Sequence, residues 1–222
     1  MKYPTESSEI KETADWLFDK GANVLALTGK SAELQSWSHW EDERQSAKEK
    51  DGLPWHKADG VGVVSGINCW RCLDVDDCEN LGIVLKILRG MGLPDNYRWV
   101  VKSGSREGFH IWFLCPDNDA FGGCDNWIPT DGQAFDHIEV RWKNHQTAMP
   151  PSIHDETGEE YIFPKMPPKS EPQEVSAEAV REGLRSVAKP KKTKVKGGRA
   201  TSTIDREFDD PEVETIRSAL EA

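Results

Sequence analysis

The stretch CWRCLDVDD, Cys69 to Asp77, decides how the rest of the chain is read. It reads as a strand that carries Asp74 and Asp76 at its C-terminal end. Residues two apart in a strand point to the same side, so both carboxylates face one space and Val75 faces the other. Two carboxylates held that close repel each other unless a cation sits between them. Mg²⁺ and Mn²⁺ suit that place, because they are hard ions that take oxygen ligands. Taken alone, an Asp-x-Asp pair is more often two solvated acids at a strand end. The segments downstream shift that balance.

Glu79 to Met91 is predicted helical, with Leu81, Val84, Leu85 and Leu88 on one face and Gly92-Leu93-Pro94 as its stop. RWVVKS (98–103) and FHIWFLC (109–115) read as a hairpin around the loop Gly104 to Gly108. Alternation puts His110, Trp112 and Leu114 on one face of the return strand and Phe109, Ile111 and Phe113 on the other. A lone histidine there is usually structural. Beside Lys102, Ser103, Ser105 and Arg106 it gains a phosphate-facing reading. Residues 116–137 are rich in Gly, Asp and Asn and show little periodicity. HIEVRW (137–142) is again a strand, with Glu139 and Arg141 sharing a face and Val140 opposite. The order strand, helix, strand, strand, strand is the start of a ferredoxin-like sheet. Such a sheet can present Asp74, Asp76, His110 and Glu139 on one face while a helix covers Val75, Ile111, Phe113 and Val140 on the other.

Upstream, residues 6–20 read as a helix capped by Ser7 or Ser8, with Ile10, Ala14, Leu17 and Phe18 as its apolar stripe. Asn23 to Thr28 reads as a buried strand, and Glu41 to Lys50 as a charged surface helix. Between them lies a polar loop with Trp37 and Trp40; most of the nine tryptophans suit packing, and these two are the candidates for stacking on nucleic-acid bases. DGVGVVSGIN leads into the organising strand through Gly60, Gly62 and Gly66. Downstream, MPPSIHDETGEEYIF gives a Pro-stiffened turn with Ser152 and His154, then a last strand from Tyr161 to Phe163.

Composition bounds the remaining possibilities. The chain has 222 residues, 36% hydrophobic and 30% charged, and a net charge of −11. Residues 1–164 hold 16 Lys and Arg against 28 Asp and Glu, residues 165–199 hold 10 against 4, and residues 200–222 hold 2 against 7. An acidic main domain is not the usual footprint of a nucleic-acid binder, and a nucleic-acid contact would need a local basic groove or the basic segment. No apolar run approaches the ~20 residues of a membrane span, and the N-terminus has no apolar signal core. Five cysteines, an odd number, suit a reducing compartment, and the protein reads as cytoplasmic. Cys69-x2-Cys72 has no second ligand pair, and Cys78, Cys115, Cys124 and His137 are scattered, so structural zinc is not expected.

From Lys165 the composition shifts. The expected division is 1–164 as the main domain, 165–203 as a Pro/Lys-rich linker with a possible helix over Val175 to Val187, and 204–222 as the start of a further helical domain. That last helix, capped by Asp209 or Asp210, has Val213, Ile216 and Leu220 on one face and nothing after Ala222 to bury it. This suggests that the natural protein continues.

Taken together, these segments resemble the Prim-Pol branch of the archaeo-eukaryotic primase superfamily, found in phage, plasmid and integrated-element replication proteins. GVGVVSGINCWRCLDVDD resembles the family's lead into its first motif of two acids one residue apart. Gly108-Phe109-His110 resembles the second motif, and IEVRW the third, an acid between apolar residues with Arg two later. AMPPSIHDETGEEYIF is similar to the Pro-Pro-Ser-x-His stretch that follows. The match runs from about residue 8 to 164. The resemblance implies an α/β (α+β) primase fold, a ferredoxin/RRM-like catalytic sheet packed with an N-terminal α/β subdomain and followed by a helical or flexible tail. It implies Asp74, Asp76 and Glu139 as ligands of two Mg²⁺ or Mn²⁺ ions and His110 as a contact to the incoming nucleotide's phosphates. Ser105, Arg106, Arg141, Ser152 and His154 follow as further phosphate or sugar contacts. The implied partners are single-stranded DNA template and primer, dNTP or NTP, and a helicase or accessory domain C-terminal to this segment. The chain departs from the family in its SGSREG loop, in Glu139 where Asp is common, and in KNHQT where glycines are usual.

The implied activity is templated primer synthesis and extension by nucleotidyl transfer. A non-catalytic nucleotide- or DNA-binding initiator module of the same fold is the alternative, and the acidic charge favours it. A metal-dependent sugar-nucleotide transferase explains Asp74 and Asp76 but leaves His110, Glu139 and the Pro-Pro-Ser-x-His stretch without a reason.

Overall fold

Helix α1 (Ile10–Asp19) precedes β1 (Asn23–Thr28), β2 (Ser31–Ala32), the short helix α2 (Ala47–Asp51) and β3 (Gly60–Val64). The organising strand is β4 (Trp70–Asp76), followed by α3 (Leu81–Gly90), β5 (Val100–Lys102), β6 (Gly108–Leu114), β7 (Cys124–Pro129), β8 (Ile138–Arg141) and β9 (Gln146–Met149). Helix α4 (Ala177–Arg185) and β10 (Ala188–Pro190) close the chain as described. This computed structural model describes residues 3–4, 9–32, 34, 36–122 and 124–191, in a unit that runs from Met1 to Lys191. Ser7 and Ser8, the basic run from Lys192 and the helix expected after Asp209 lie outside the described residues.

The strands form two antiparallel sheets of mixed α+β architecture. One has the order β2-β1-β3-β9 and the other β10-β7-β8-β4-β6-β5. In the second sheet the central order is β8-β4-β6-β5, and α3 carries the chain from β4 past β6 to the far edge. This is the split arrangement of a ferredoxin-like sheet. The segment 116–137, expected to be irregular, contributes β7, which pairs with β8 and β10. Its sequence CDNWIP lacks apolar alternation, so backbone pairing with the following strand and with the distant β10 decides its conformation. The last strand, expected over Tyr161 to Phe163, shrinks to one bridge between Ile162 and Lys102 on the edge of β5.

Helix boundaries shift for local reasons. The charged helix expected over 41–50 is confined to α2, where Ser46 and Glu49 cap each other reciprocally. The turn before it, Ser38–Glu41, buries Trp40, and Trp37 packs against the core, which removes Trp40 as a base-stacking surface. In α3 the buried stripe is Ile83, Val84, Ile87 and Leu88 rather than the stripe built on Leu81 and Leu85. Both sets have helical spacing, and docking chose the one with two isoleucines.

The six-stranded sheet has one largely apolar face, where Leu73, Val75, Ile111, Phe113 and Val140 are fully buried, together with Arg71, whose guanidinium donates to the Gly66 and Trp70 carbonyls. The other face is divided. At one end Trp70 packs edge-on to Trp99 at 5.2 Å and lies 6.0 Å from Trp112. Trp99 in turn meets Trp16 of α1 at 5.9 Å, and Tyr3 completes the cluster by donating to the Pro150 carbonyl at 2.6 Å. At the other end the same face carries Asp74, Asp76 and His110. Aromatic packing thus seals half of the face and leaves the acidic half for a cleft.

Residues 165–191, expected as part of a linker, belong instead to the main unit, so the fold extends past Pro164. The expected helix forms, as α4, and packs on α3, while β10 adds an edge strand beside β7. The two helices touch backbone to backbone. A Cβ on Gly183 would lie 2.5 Å from Met91 Cγ and 2.8 Å from the Ile87 carbonyl. Helix propensity alone favours Gly183→Ala by about 1 kcal/mol. Overpacking at this crossing opposes it by about 1–3 kcal/mol. Urea denaturation should therefore show G183A less stable than the parent chain, and a stabilised variant would mean that the helices part without cost.

Candidate active site

β4 lies between β6 and β8, and its register decides the site. Asp74 is paired with His110 on one side and with Glu139 on the other, while Asp76 is paired with Gly108. Paired residues across antiparallel strands point to the same face. His110, Asp74 and Glu139 therefore form a row across the sheet, and Asp76 stands one row further along β4.

The side chains interlock. His110 Nε2 is 3.3 Å from Asp74 Oδ1. The Arg141 guanidinium ion-pairs with Asp74 and, through Nε, with Glu139 Oε2 at 2.7 Å, while its Nη1 donates to Thr147 Oγ1 at 3.1 Å. His137 approaches Asp76 at 3.3 Å through Nε2 and Asp136 at 2.8 Å through Nδ1. Burial by itself would raise the Asp74 carboxyl, but His110 and Arg141 outweigh it and hold the group well below the usual carboxylate range. Burial and the charge of Asp74 push Asp76 up to about 6, with His137 pulling the other way. For Arg141, burial opposes the charged form, and the carboxylates of Asp74 and Glu139 more than offset it.

These residues floor a cleft of about 430 Å³. Its walls come from four separate segments. Ser103 and Ser105 belong to the loop before β6, His154 and Tyr161 to the stretch after β9, His145 to the β8–β9 turn, and Lys30 to the β1–β2 turn of the other sheet. Gly104 brings two of these walls together. A Cβ there would lie 2.6 Å from both His154 Cβ and the Glu159 carbonyl, and Thr157 Oγ1 donates to the Gly104 carbonyl at 2.7 Å. The Tyr161 ring stands 5.6 Å from His110 and 6.0 Å from His154. His110 Nδ1 is buried with no hydrogen-bond partner among the described residues.

Of the residues expected from sequence, Asp74, Asp76, Glu139, His110, Arg141, Ser105 and His154 line this cleft. Arg106 does not. Its side chain is 69% exposed and pairs with Glu159 outside the cleft lining. Ser152 corrects the expectation of a nucleotide contact. It is fully buried, and its hydroxyl accepts from Val61 N at 2.9 Å and donates to the Met149 carbonyl at 2.6 Å. It ties β3 to the turn after β9 and has no surface to offer a ligand. Sequence reasoning missed Lys30, His137, His145 and Tyr161 as site residues. Tyr161 and His145 sit in stretches flanking motif residues, which was a usable signal. Lys30 carries none, because a different sheet delivers it.

The donor set can be tested against divalent cations. Among the described residues no three His, Cys, Asp or Glu side chains converge as a ready-made metal cage. Asp74, Asp76 and Glu139 nevertheless supply only oxygen donors, from one sheet face, into one cleft, which is the chemistry Mg²⁺ or Mn²⁺ requires. Cys72, the preceding same-face residue of β4, is fully buried with its thiol pushed well up by desolvation, so it does not compete as a thiolate ligand. The residues fit a hard divalent ion, with Arg141 placed between two of them.

A family model described as bifunctional DNA primase/polymerase, N-terminal (Prim-Pol), matches residues 14–178. The matched span runs from α1 into α4 and contains every cleft residue named above. No curated protein matches the chain.

The Gly104 contact makes a prediction for the cleft itself. Gly104→Val should force the 103–108 loop from the 154–160 loop and cost about 1–3 kcal/mol. Amide exchange should quicken in both loops and not in α3. Unchanged protection at 154–160 would mean that the loops are held by other contacts.

Proposed function

Because the chain belongs to the bifunctional DNA primase/polymerase family, we propose that its cleft joins nucleotides to a growing strand on a single-stranded DNA template. The observation that carries this reading is the row His110–Asp74–Glu139 with Asp76 beside it on the floor of an open cleft. The 3′-oxygen of a primer, or of a first nucleotide, attacks the α-phosphorus of a nucleoside triphosphate. The bond to the β-phosphate oxygen breaks, and pyrophosphate leaves.

Asp74, Asp76 and Glu139 would hold the divalent ions. Bound there, Mg²⁺ or Mn²⁺ supplies a lowered pKa at the attacking hydroxyl and charge neutralisation at the leaving pyrophosphate. The protein's own part is positioning and electrostatics. His110 lines the cleft with Nε2 3.3 Å from Asp74 Oδ1, and its imidazole is assigned to the phosphates of the incoming nucleotide. Tyr161 packs beside His110 and limits how its ring can turn. Ser103, Ser105, Lys30 and His154 line the walls with hydroxyl and basic groups suited to the rest of the triphosphate. The setting in phage, plasmid or integrated-element replication rests on the family resemblance.

The acidic charge of residues 1–164 supports a second reading, a nucleotide- or DNA-binding initiator module without turnover. Incorporation of labelled dNTPs and rNTPs on single-stranded DNA separates the two, with and without a primer, in Mg²⁺ and in Mn²⁺. Synthesis is expected, and Asp74→Asn or Asp76→Asn should abolish it with the circular dichroism spectrum unchanged. Persisting activity in both variants would reject the site. Nucleotide binding without product in the parent chain would favour the initiator module. His110→Ala should weaken triphosphate affinity about 10- to 100-fold, the cost of a lost charge-assisted hydrogen bond, and DNA affinity far less. The reverse order in binding titrations would remove His110 from its role.

A further inference from the structure

Arg141 is bound to two of the three carboxylates on which the proposed site depends. Its Nη2 pairs with Asp74 Oδ2, its Nε with Glu139 Oε2 at 2.7 Å, and its Nη1 with Thr147 Oγ1 at 3.1 Å. All three sides of the guanidinium are engaged, and the side chain is only 21% exposed. The contacts also span both sheets, since Asp74 and Glu139 belong to β4 and β8 while Thr147 belongs to β9 of the other sheet. Arg141 therefore neutralises part of the carboxylate charge that would attract a divalent ion and occupies oxygen atoms the ion would use. A planar guanidinium remains charged under all working conditions, so it cannot leave by losing its proton. It leaves only for another anion.

A triphosphate brings such an anion to the same cleft. Phosphate oxygens match the forked geometry of a guanidinium as well as a carboxylate does. We infer that Arg141 is an exchange residue that couples the two ligands of this site. It holds Asp74 and Glu139 against divalent ions until a nucleoside triphosphate arrives, then passes to the phosphates as the ion takes the carboxylates. The inference rests on the proposed nucleotidyl-transfer reading for the identity of the triphosphate. Its first half, competition between Arg141 and the ion, stands on the geometry alone. Thermodynamic reciprocity then requires that the ion raise triphosphate affinity by the same factor as triphosphate raises ion affinity. Glu139 and Arg141 lie two residues apart on β8 and share a face. The positive charge thus stays within reach when it lets go.

The test is Mn²⁺ titration of the full chain by electron paramagnetic resonance, without nucleotide and then with a non-reacting α,β-methylene triphosphate. Arg141→Gln should bind Mn²⁺ alone about tenfold more tightly than the parent chain, and should bind the triphosphate more weakly in the presence of Mn²⁺. Opposite signs on the two ligands are the signature. A residue that merely supports the fold would weaken both, and one that only touches phosphate would leave Mn²⁺ alone unchanged. Either of those results overturns the proposal. Arg106→Gln removes the same charge outside the cleft lining and should raise Mn²⁺ affinity much less; an equal rise would reduce the effect to net charge and also overturn it. Asp74→Asn in the Arg141→Gln background should abolish the gain, placing the ion at this site. Should Arg141→Gln fail to fold, Arg141→Lys keeps the charge but loses the fork, and a smaller shift of the same two signs is expected. Absence of triphosphate binding in the parent chain would defeat the nucleotidyl-transfer reading and the coupling with it. Mn²⁺ binding by the variants would still decide whether Arg141 competes for the carboxylates.

Discussion

The pairing of β4 with β6 on one side and β8 on the other is the constraint on which the rest depends. An antiparallel ladder fixes side-chain direction with a period of two, so a slip of one residue would turn every group to the opposite face. In the observed register Asp74 meets His110 and Glu139, and the alternate residues Leu73, Val75, Ile111 and Val140 are all fully buried. Burial of the apolar set thus enforces the alignment of the polar set. The hydrophobic effect positions a polar constellation to which it contributes no atoms.

The division of the polar-bearing face follows from the same strands. β4 and β6 present Trp70 and Trp112 at one end and Asp74, Asp76 and His110 at the other. The tryptophan end is closed by Tyr3, Trp16 and Trp99 in edge-on contacts. The acidic end cannot be closed by apolar groups, since buried carboxylates need hydrogen bonds or countercharge. The chain instead rings it with polar segments from both sheets, and the near-contact at Gly104 draws two of them together.

Charge is balanced locally within that ring. Asp74 is held ionised by His110 and Arg141, Glu139 shares Arg141, and Asp76 faces His137 and carries the residual repulsion. The acidic total of the chain is a poor guide to this site, because the relevant quantity is the arrangement of a few charges at low local dielectric.

Much of this was legible in the amino-acid sequence. Period-two alternation around Asp74, His110 and Glu139, the helix between the first two, and the order of the motifs identified the family, the mixed fold and the main cleft residues. These are local patterns, and local patterns survive in one dimension. The tertiary structure decided the rest. β7 lies between the next strand, β8, and the far-off β10, and neither β7 nor β10 shows alternation of its own. Residues 165–191 look like a linker by composition yet dock through a glycine contact between α3 and α4. Ser152 looks like a ligand contact and is a buried tie between backbones, while Lys30 and His137 look incidental and reach the site. Pairing, docking and countercharge arise between residues distant along the chain, and only folding sets those distances.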